Sequence, residues 1–198
     1  MNYDYRKSLV LVAALAAAPA SAQNIAINFD FDIDLDHWNT QNDSTEISTA
    51  WNSLDGNGSL DSGSAQVDNI SSGPNNGVTL EQCLPASEGQ SYSYGGKIRV
   101  PAPGLGANDV ATIDAYWTND ASCAGNLSLD STSFSPGAPD TWVTQPPTQV
   151  VAPAGTNGVK IRGRVTKFNA GGTVTALFDD VYFGPGTFPV TLQSFRVD

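Results

Sequence analysis

Basic and imidazole side chains are scarce in this sequence, and the scarcity excludes several functions. Its 198 residues include one histidine, one methionine, two cysteines and 9 Lys+Arg. A Ser-His-Asp site would have to be built around His37 alone, and binding to nucleic acid requires a large excess of positive charge. The composition therefore disfavours triad catalysis and nucleic-acid recognition.

Long apolar runs are also absent, except at the start of the chain. Positions 6–7 are basic, Leu9 to Ala18 is an apolar run of ten residues, and residues 19–22 read Pro-Ala-Ser-Ala. This order is typical of a bacterial secretory signal peptide, whereas a membrane span needs about 20 apolar residues. We expect residues 1–22 to be removed and the mature chain to begin at Gln23, in the periplasm or outside the cell.

Acidic residues dominate the remaining chain. Removal of residues 1–22 takes away Asp4, Arg6 and Lys7, so the mature chain has 19 acidic and 7 basic residues. A net charge near −12 opposes binding to nucleic acid or to an anionic membrane surface, so we expect a monomer without membrane insertion. The length suits one domain, predicted over residues 23–185, followed by a tail at 186–198.

The two cysteines, Cys83 and Cys123, are 40 positions apart. In an oxidising compartment an isolated pair favours a disulfide over a metal site or a catalytic thiol. We therefore predict one disulfide that stabilises the fold and takes no part in chemistry.

Helical periodicity is nearly absent after residue 22, and short alternating runs separated by turn formers predict strands. The expected fold is an all-β, two-sheet antiparallel β-sandwich, because an open sheet of this size would leave a face unburied. The predicted strands are Asn24 to Phe31, Ser64 to Val67, Gly77 to Cys83, Ser91 to Val100, Val110 to Trp117, Val143 to Val151, Val159 to Phe168 and Thr173 to Phe183.

Several segments, taken in order, resemble carbohydrate-binding modules of the cellulose- and xylan-binding jelly-roll type, within the galactose-binding-like superfamily. The opening Asn28-Phe29-Asp30-Phe31-Asp32 resembles the start of that family, although Phe29 replaces its usual glycine. The later matching segments are Ser62 to Ala65, Val78 to Cys83, Tyr92 to Val100, Asp114 to Trp117, Thr141-Trp142, Ala152 to Gly155 and Phe178 to Val181. The resemblance implies a jelly roll that binds a glycan and packs Trp38 and Trp142 in its core.

The resemblance also implies a structural calcium ion between the first and last strands. Its matching ligands are Asp32, Asp179 and Asp180, with Asp30 as an additional candidate. Calcium binds six to eight oxygen atoms, which two neighbouring strands can supply. The alternative is that the acidic residues from Asp30 to Asp36 line a solvated edge strand and prevent aggregation.

Sugar recognition combines an aromatic ring with polar groups that bind the hydroxyls. The aromatic candidates are Trp51, Tyr92, Tyr94 and Tyr116. Trp51 precedes a Gly-rich loop and is the tryptophan most expected to be exposed, although it could equally anchor that loop.

Basic residues on two alternating strands form a further candidate site. Arg162 and Arg164, with Lys160, Lys97 and Arg99, could bind an acidic glycan if the two strands are neighbours. The alternative is ion pairing with acids on adjacent strands.

Taken together, these patterns predict a secreted, non-catalytic protein that binds a cell-wall or matrix polysaccharide. The alternative is a structural or adhesive surface protein that uses the sandwich for protein contacts. We do not expect an enzyme, because a jelly-roll glucanase would carry a Glu-x-Asp-x-x-Glu strand that is missing here.

Overall fold

The computed structural model describes residues 23–40, 45–130, 137–169 and 171–186. The signal-peptide prediction and the tail prediction beyond residue 186 lie outside these residues. Within them, no helix is long and apolar enough to cross a membrane.

The described residues form nine strands in two antiparallel sheets, which confirms the predicted all-β, two-sheet sandwich. The five-stranded sheet has the order β1-β2-β9-β4-β7, and the four-stranded sheet has the order β3-β8-β5-β6. The strands are β1 Ile47–Asn52, β2 Ser64–Asn69, β3 Asn75–Pro85, β4 Ser91–Arg99, β5 Val110–Thr118, β6 Ser128–Asp130, β7 Trp142–Val151, β8 Gly158–Lys167 and β9 Val174–Pro185.

Alternation in the central strands places one side of each sheet in a shared core. In β8, Val159, Ile161 and Val165 are fully buried, whereas the intervening basic residues are partly exposed. In β5, the core side carries Ala111, Ile113, Ala115 and Trp117, and Thr112 and Asp114 on the other side are also fully buried. The period of two in the sequence therefore specifies which face lies toward the core.

The predicted strand from Asn24 to Phe31 is wrong. Residues 23–40 form an irregular segment, in which Asn28, Phe31 and His37 have positive φ angles of 48°, 47° and 72°. The Asn28 side-chain amide donates to the carbonyl oxygens of residues 34 and 36, at 3.2 and 3.1 Å. Such side-chain to backbone hydrogen bonds compete with strand pairing and favour turns.

The N-terminal segment nevertheless lies beside the last strand, as the sandwich predicts. The Val181 amide donates to the Phe29 carbonyl at 2.9 Å, and the Ile25 amide donates to the Phe183 carbonyl at 2.8 Å. The predicted Cys83–Cys123 disulfide is also confirmed. Strands β1 and β6 were not predicted, because β1 reads Ile-Ser-Thr-Ala-Trp-Asn without strict alternation of apolar and polar residues, and β6 has only three residues.

Candidate functional site

Trp51 is a partly exposed aromatic ring that the backbone holds in place. It lies on edge strand β1 opposite Ala65, on the side of the sheet that faces the core, yet 38% of it remains exposed. Its Nε1 donates to the Phe31 carbonyl oxygen at 2.8 Å, and the Gly63 amide donates to the same oxygen at 3.1 Å. Phe31 itself is fully buried and packs on Trp38, so the acceptor for the indole is fixed.

Gly63 lets the following loop lie directly against the indole. A Cβ atom at this position would lie 2.7 Å from two ring carbons of Trp51 and 2.3 Å from the Asn52 carbonyl oxygen. Both distances are below van der Waals contact, so only glycine fits without displacing the ring. Trp51 thus has the anchoring role that the sequence left open, and it keeps an exposed surface as well.

That exposed surface borders a pocket of about 370 Å³. Ile33 and Leu60 supply apolar surface and are 78% and 99% exposed. The remaining lining residues are polar or acidic: Asp32, Ser53, Asp61 and Ser62. An aromatic ring beside hydroxyl and carboxylate groups is the combination that sugars require.

Asp55 organises the loop that carries Leu60 and Asp61. Its Oδ1 accepts the amides of Asn57 and Ser59 at 2.7 Å each, and its Oδ2 accepts the Ser62 hydroxyl at 2.6 Å. Burial alone would raise the pKa of Asp55, but the hydrogen bonds from Ser62, Ser59 and Asn57 lower it below its usual value. The carboxylate therefore stays ionised and stabilises the loop as a turn.

The predicted calcium ligands already bind other groups. The fully buried Asp179 accepts the Gly56 amide at 2.6 Å on Oδ2 and the Asp180 amide at 2.7 Å on Oδ1. Asp180 Oδ2 lies 2.9 Å from the Lys97 ammonium and accepts a hydrogen bond from the Asn57 side-chain amide at 2.9 Å. Lys97 also donates to the Gly56 carbonyl at 3.0 Å and to the Asn57 side-chain oxygen.

These contacts do not form a calcium site with Asp30 and Asp32. Over the described ranges, no group of three or more His, Cys, Asp or Glu side chains is arranged to hold a metal ion. The Lys97 ammonium supplies positive charge at Asp180 where a cation was expected. Calcium binding at Asp30, Asp32, Asp179 and Asp180 stays a prediction that would require these donors to be displaced.

Tyr92 and Tyr94 lie inside the sandwich, so their prediction as sugar-stacking residues is wrong. Tyr92 stacks on Phe183 with ring centroids 4.9 Å apart, and it is 6% exposed. Tyr94 is fully buried and donates to Asp130 Oδ1 at 2.9 Å. Burial, together with this hydrogen bond, raises the pKa of Tyr94.

The two basic strands are not neighbours, because β4 belongs to the five-stranded sheet and β8 to the four-stranded sheet. All five basic side chains instead form ion pairs, which confirms the pairing alternative. The pairs are Lys97–Asp180, Arg99–Asp140, Lys160–Glu81, Arg162–Asp114 and Arg164–Asp114.

Arg162 and Arg164 share one carboxylate on the outer face of the four-stranded sheet. Their Nε atoms lie 2.9 and 2.6 Å from the two oxygens of the fully buried Asp114. The Arg162 guanidinium also lies 4.6 Å from the centroid of the Tyr116 ring. Tyr116 is partly exposed, but this cation–π contact covers part of its ring. Tyr116 belongs to the four-stranded sheet and does not line the pocket beside Trp51, which lies on β1 of the five-stranded sheet.

Trp142 was predicted to pack in the core and does not. On β4, Arg99 pairs with Trp142 of β7 on one side and with Leu177 of β9 on the other. Arg99 lies on the outer face of this sheet. Directly paired residues share a face, so Trp142 lies outside the sandwich and is partly exposed. The polar residue Thr144 could have indicated this orientation, because residues two positions apart in a strand share a face and Thr144 is exposed in the structure. Trp38, by contrast, is in the core as predicted.

Comparisons with known proteins found similar solved structures but no matching sequence family. No protein-family profile and no curated protein sequence matches the chain. Among solved structures, the chain is similar to the enzymatically active domain of tailspike protein 4 of bacteriophage CBA120, with 15% identity and a TM-score of 0.57 over 82% of this chain. The chain spans 21% of the length of that tailspike chain.

Two solved carbohydrate-binding modules are similar at lower scores. TmCBM61 in complex with β-1,4-galactotriose has 16% identity and a TM-score of 0.48, over 83% of this chain and 99% of that one. The CBM22-1–GH10 modules of Clostridium thermocellum xylanase 10B with xylohexaose have 13% identity and a TM-score of 0.49, over 84% and 29%. The two-sheet β-sandwich is established by the strand pairing of the chain itself.

Proposed function

We propose that this protein is a secreted, non-catalytic polysaccharide-binding protein and that the pocket beside Trp51 contacts the glycan. The observation that carries the proposal is the fixed, exposed indole in a pocket that also offers Asp32, Asp61 and two serine hydroxyls. A preformed platform reduces the entropy lost on binding, because the indole is already oriented.

The pocket size agrees with one or two sugar residues. Sites for small ligands occupy roughly 300–1,000 Å³, and about 370 Å³ lies near the lower end of that range. A pyranose presents C–H groups on one face and hydroxyls at its rim. The C–H face matches the Trp51 ring, and the hydroxyls match the carboxylates of Asp32 and Asp61.

Secretion is part of the proposal and rests on the first 22 residues and on the disulfide. A Cys83–Cys123 bridge is typical of proteins that fold outside the reducing cytoplasm. The test is to compare the length of the mature protein in the culture medium and the periplasm with that of the full chain, and a start at Gln23 is expected.

Glycan binding is tested with the mature protein on insoluble cellulose, xylan and chitin and by titration with soluble polysaccharides. We expect retention on at least one polysaccharide and a change in tryptophan fluorescence on titration. Trp51→Ala should abolish both, because the stacking surface is lost. Tyr116→Ala is the matched control, since it removes a partly exposed aromatic that contacts Arg162 outside the pocket.

Gly63→Ala is a second probe of the same site. Its added methyl group would displace the indole from Phe31, so binding should fall although every lining side chain is retained. If no polysaccharide is retained, or if Trp51→Ala binds as well as the wild type, the proposal is wrong, and the adhesive alternative becomes the better explanation.

A further inference from the structure

Among the described residues, no basic side chain balances the negative charge of the pocket beside Trp51. Asp32 and Asp61 are its ionisable lining residues. Neither carboxylate takes part in a salt bridge there, because Lys97, Arg99, Lys160, Arg162 and Arg164 pair with other acids. Lys167 donates to the carbonyl oxygens of residues 71 and 172 instead.

The surroundings of the pocket are acidic as well. Asp30, Asp34 and Asp36 flank Asp32 along the same segment, and Asp55 precedes Asp61 in the same loop. These carboxylates would repel an anionic sugar. A cationic group on a ligand would instead meet two carboxylates that form no salt bridge within the described residues.

The indole favours the same kind of ligand. A cation over an exposed tryptophan face gains about 0.5–1 kcal/mol, and the ring still offers stacking surface to the C–H side of a sugar. Among glycans, a protonated amine on a pyranose ring meets both conditions, because it combines an ammonium group with an apolar ring face.

We propose that the Trp51 pocket binds amino sugars in their protonated, non-acetylated form and prefers them to neutral and acidic sugars. This inference rests on the proposed glycan-binding function and names the ligand class of the same pocket. The ammonium group pairs with Asp32 and Asp61, and the sugar ring stacks on Trp51.

Three β-1,4-linked hexasaccharides that differ only at carbon 2 test the preference: the glucosamine, N-acetylglucosamine and glucose hexamers. Calorimetric titration of the mature protein at a pH where the amine is protonated should rank the glucosamine hexamer tightest. We expect a margin of roughly two- to tenfold, since exposed charge pairs contribute modestly. The margin should shrink with added salt and disappear when the amine is deprotonated.

Charge variants separate the pocket from the overall acidity of the chain. Asp32→Asn and Asp61→Asn should each reduce the preference for glucosamine over glucose roughly two- to fivefold while leaving binding of the glucose hexamer nearly unchanged. Asp36→Asn is the matched control, because it removes the same charge from an exposed residue of the same segment outside the pocket. It should leave the preference intact.

Two aromatic variants test the stacking step. Trp51→Phe retains a smaller ring and should weaken all three ligands together, and Trp51→Ala should abolish binding. Leu60→Ala tests a second apolar lining residue, whose side chain is 99% exposed and therefore contributes little to the folded core. It should weaken each hexamer by a similar factor.

Three results would overturn the inference. Equal affinity for the glucosamine and glucose hexamers, both dependent on Trp51, would refute amino-sugar selection and leave the proposed function intact. Tight glucosamine binding that survives Trp51→Ala would indicate attraction of a polycation to an acidic protein. No binding of any hexamer, together with failure on the polysaccharide panel, would refute both proposals.

Discussion

At the residue scale, three aspartates show that the residue type of an acid does not determine its role. Asp114, Asp179 and Asp61 are chemically identical, but the first lies between two guanidiniums, the second accepts two backbone amides and the third lines a pocket. The partner of each carboxylate, and not its spacing in the sequence, determines whether it stabilises the fold or is available to a ligand.

Asp114 should be far more important for stability than an exposed acid in a similar pair. Asp114→Asn removes the shared countercharge of Arg162 and Arg164 and turns an amide N–H toward a guanidinium, so we expect a loss of about 3–5 kcal/mol. Asp140→Asn makes the same change in the Arg99 pair, where the acid is 49% exposed, and should cost below about 1 kcal/mol. Urea unfolding of both variants measures the difference, and equal losses would contradict the prediction.

Asp179 should make stability depend on pH in the opposite sense to a salt-bridged acid. Burial raises the pKa of Asp179 from 3.8 to about 7, so between these values the unfolded chain is ionised at this residue while the folded chain keeps the proton. The folded state binds more protons, and its stabilisation is therefore lost as pH rises from about 4 to 7.

Because other carboxylates titrate in the same range, the measurement compares the wild type with Asp179→Asn. The free energy of unfolding of the wild type, minus that of the variant, should fall as pH rises through this window and become constant above it. A difference that stays constant or increases would show that Asp179 is ionised in the folded protein.

At the element scale, a bulge in β9 explains why two consecutive acids contact the same loop. Between the pairs Gly95–Tyr182 and Lys97–Asp179, one residue of β4 faces two residues of β9. Asp180 has a positive φ of 47° at this point. A bulge breaks the alternation, which allows both Asp179 and Asp180 to reach Asn57 and its neighbours.

Gly96 lies opposite the bulge and should tolerate no side chain. A Cβ there would lie 2.6 Å from a methyl group of Ile113 and about 3 Å from the carbonyl oxygens of residues 179 and 180. We expect Gly96→Ala to destabilise the fold by about 1–3 kcal/mol in chemical unfolding. Gly73→Ala, where a Cβ meets nothing within 4 Å, is the control and should be nearly neutral.

Alternation made the central strands predictable, and its interruptions caused the errors. The alternation of buried and partly exposed residues from Val159 to Val165 in β8 follows directly from the sequence, since this stretch keeps a period of two. In β5 the period of two identifies the core side, although polar residues on the other side are buried too. The irregular N-terminal segment could not be predicted from apolar content, because the hydrogen bonds of Asn28 override it.

The candidate site was predictable only in part. Trp51 could be identified because a tryptophan before a Gly-rich loop has few neighbours to bury it. Tyr92 and Tyr94 could not be placed, because strand β4 is central and its two faces look equally plausible without knowledge of the opposing sheet. The pocket itself brings residues 32–33 next to residues 60–62, a proximity that depends on Phe31 accepting hydrogen bonds from both Trp51 and Gly63.

At the scale of the whole molecule, the sandwich is closed by contacts that are distant in sequence. Asn24 hydrogen-bonds the Val181 carbonyl and the Phe183 amide, each at 3.1 Å, so the first described residues are fixed to the last strand. The disulfide makes a second long-range connection, from Cys83 at the outer edge of the four-stranded sheet to the loop that contains Cys123. Such contacts close long loops, and their formation carries a large entropic cost.

The disulfide should therefore contribute measurably to stability. It closes a loop of 40 residues, for which loss of chain entropy in the unfolded state predicts about 4 kcal/mol. We expect the Cys83→Ser and Cys123→Ser double variant to unfold at lower urea concentration by a corresponding amount. The oxidised wild type should lose a similar free energy when a reductant is added.

The reductant provides the control for side-chain effects. Cys123 is 3% exposed and close to Gly158, so a serine there also buries a hydroxyl group, whereas the reduced wild type keeps both sulfur atoms. If the reduced wild type is as stable as the oxidised protein and only the double variant is weakened, the loss comes from the buried hydroxyl. If both are weakened equally, the cross-link accounts for the loss, and the pocket beside Trp51 should still bind its ligand under reducing conditions, because neither cysteine lines it.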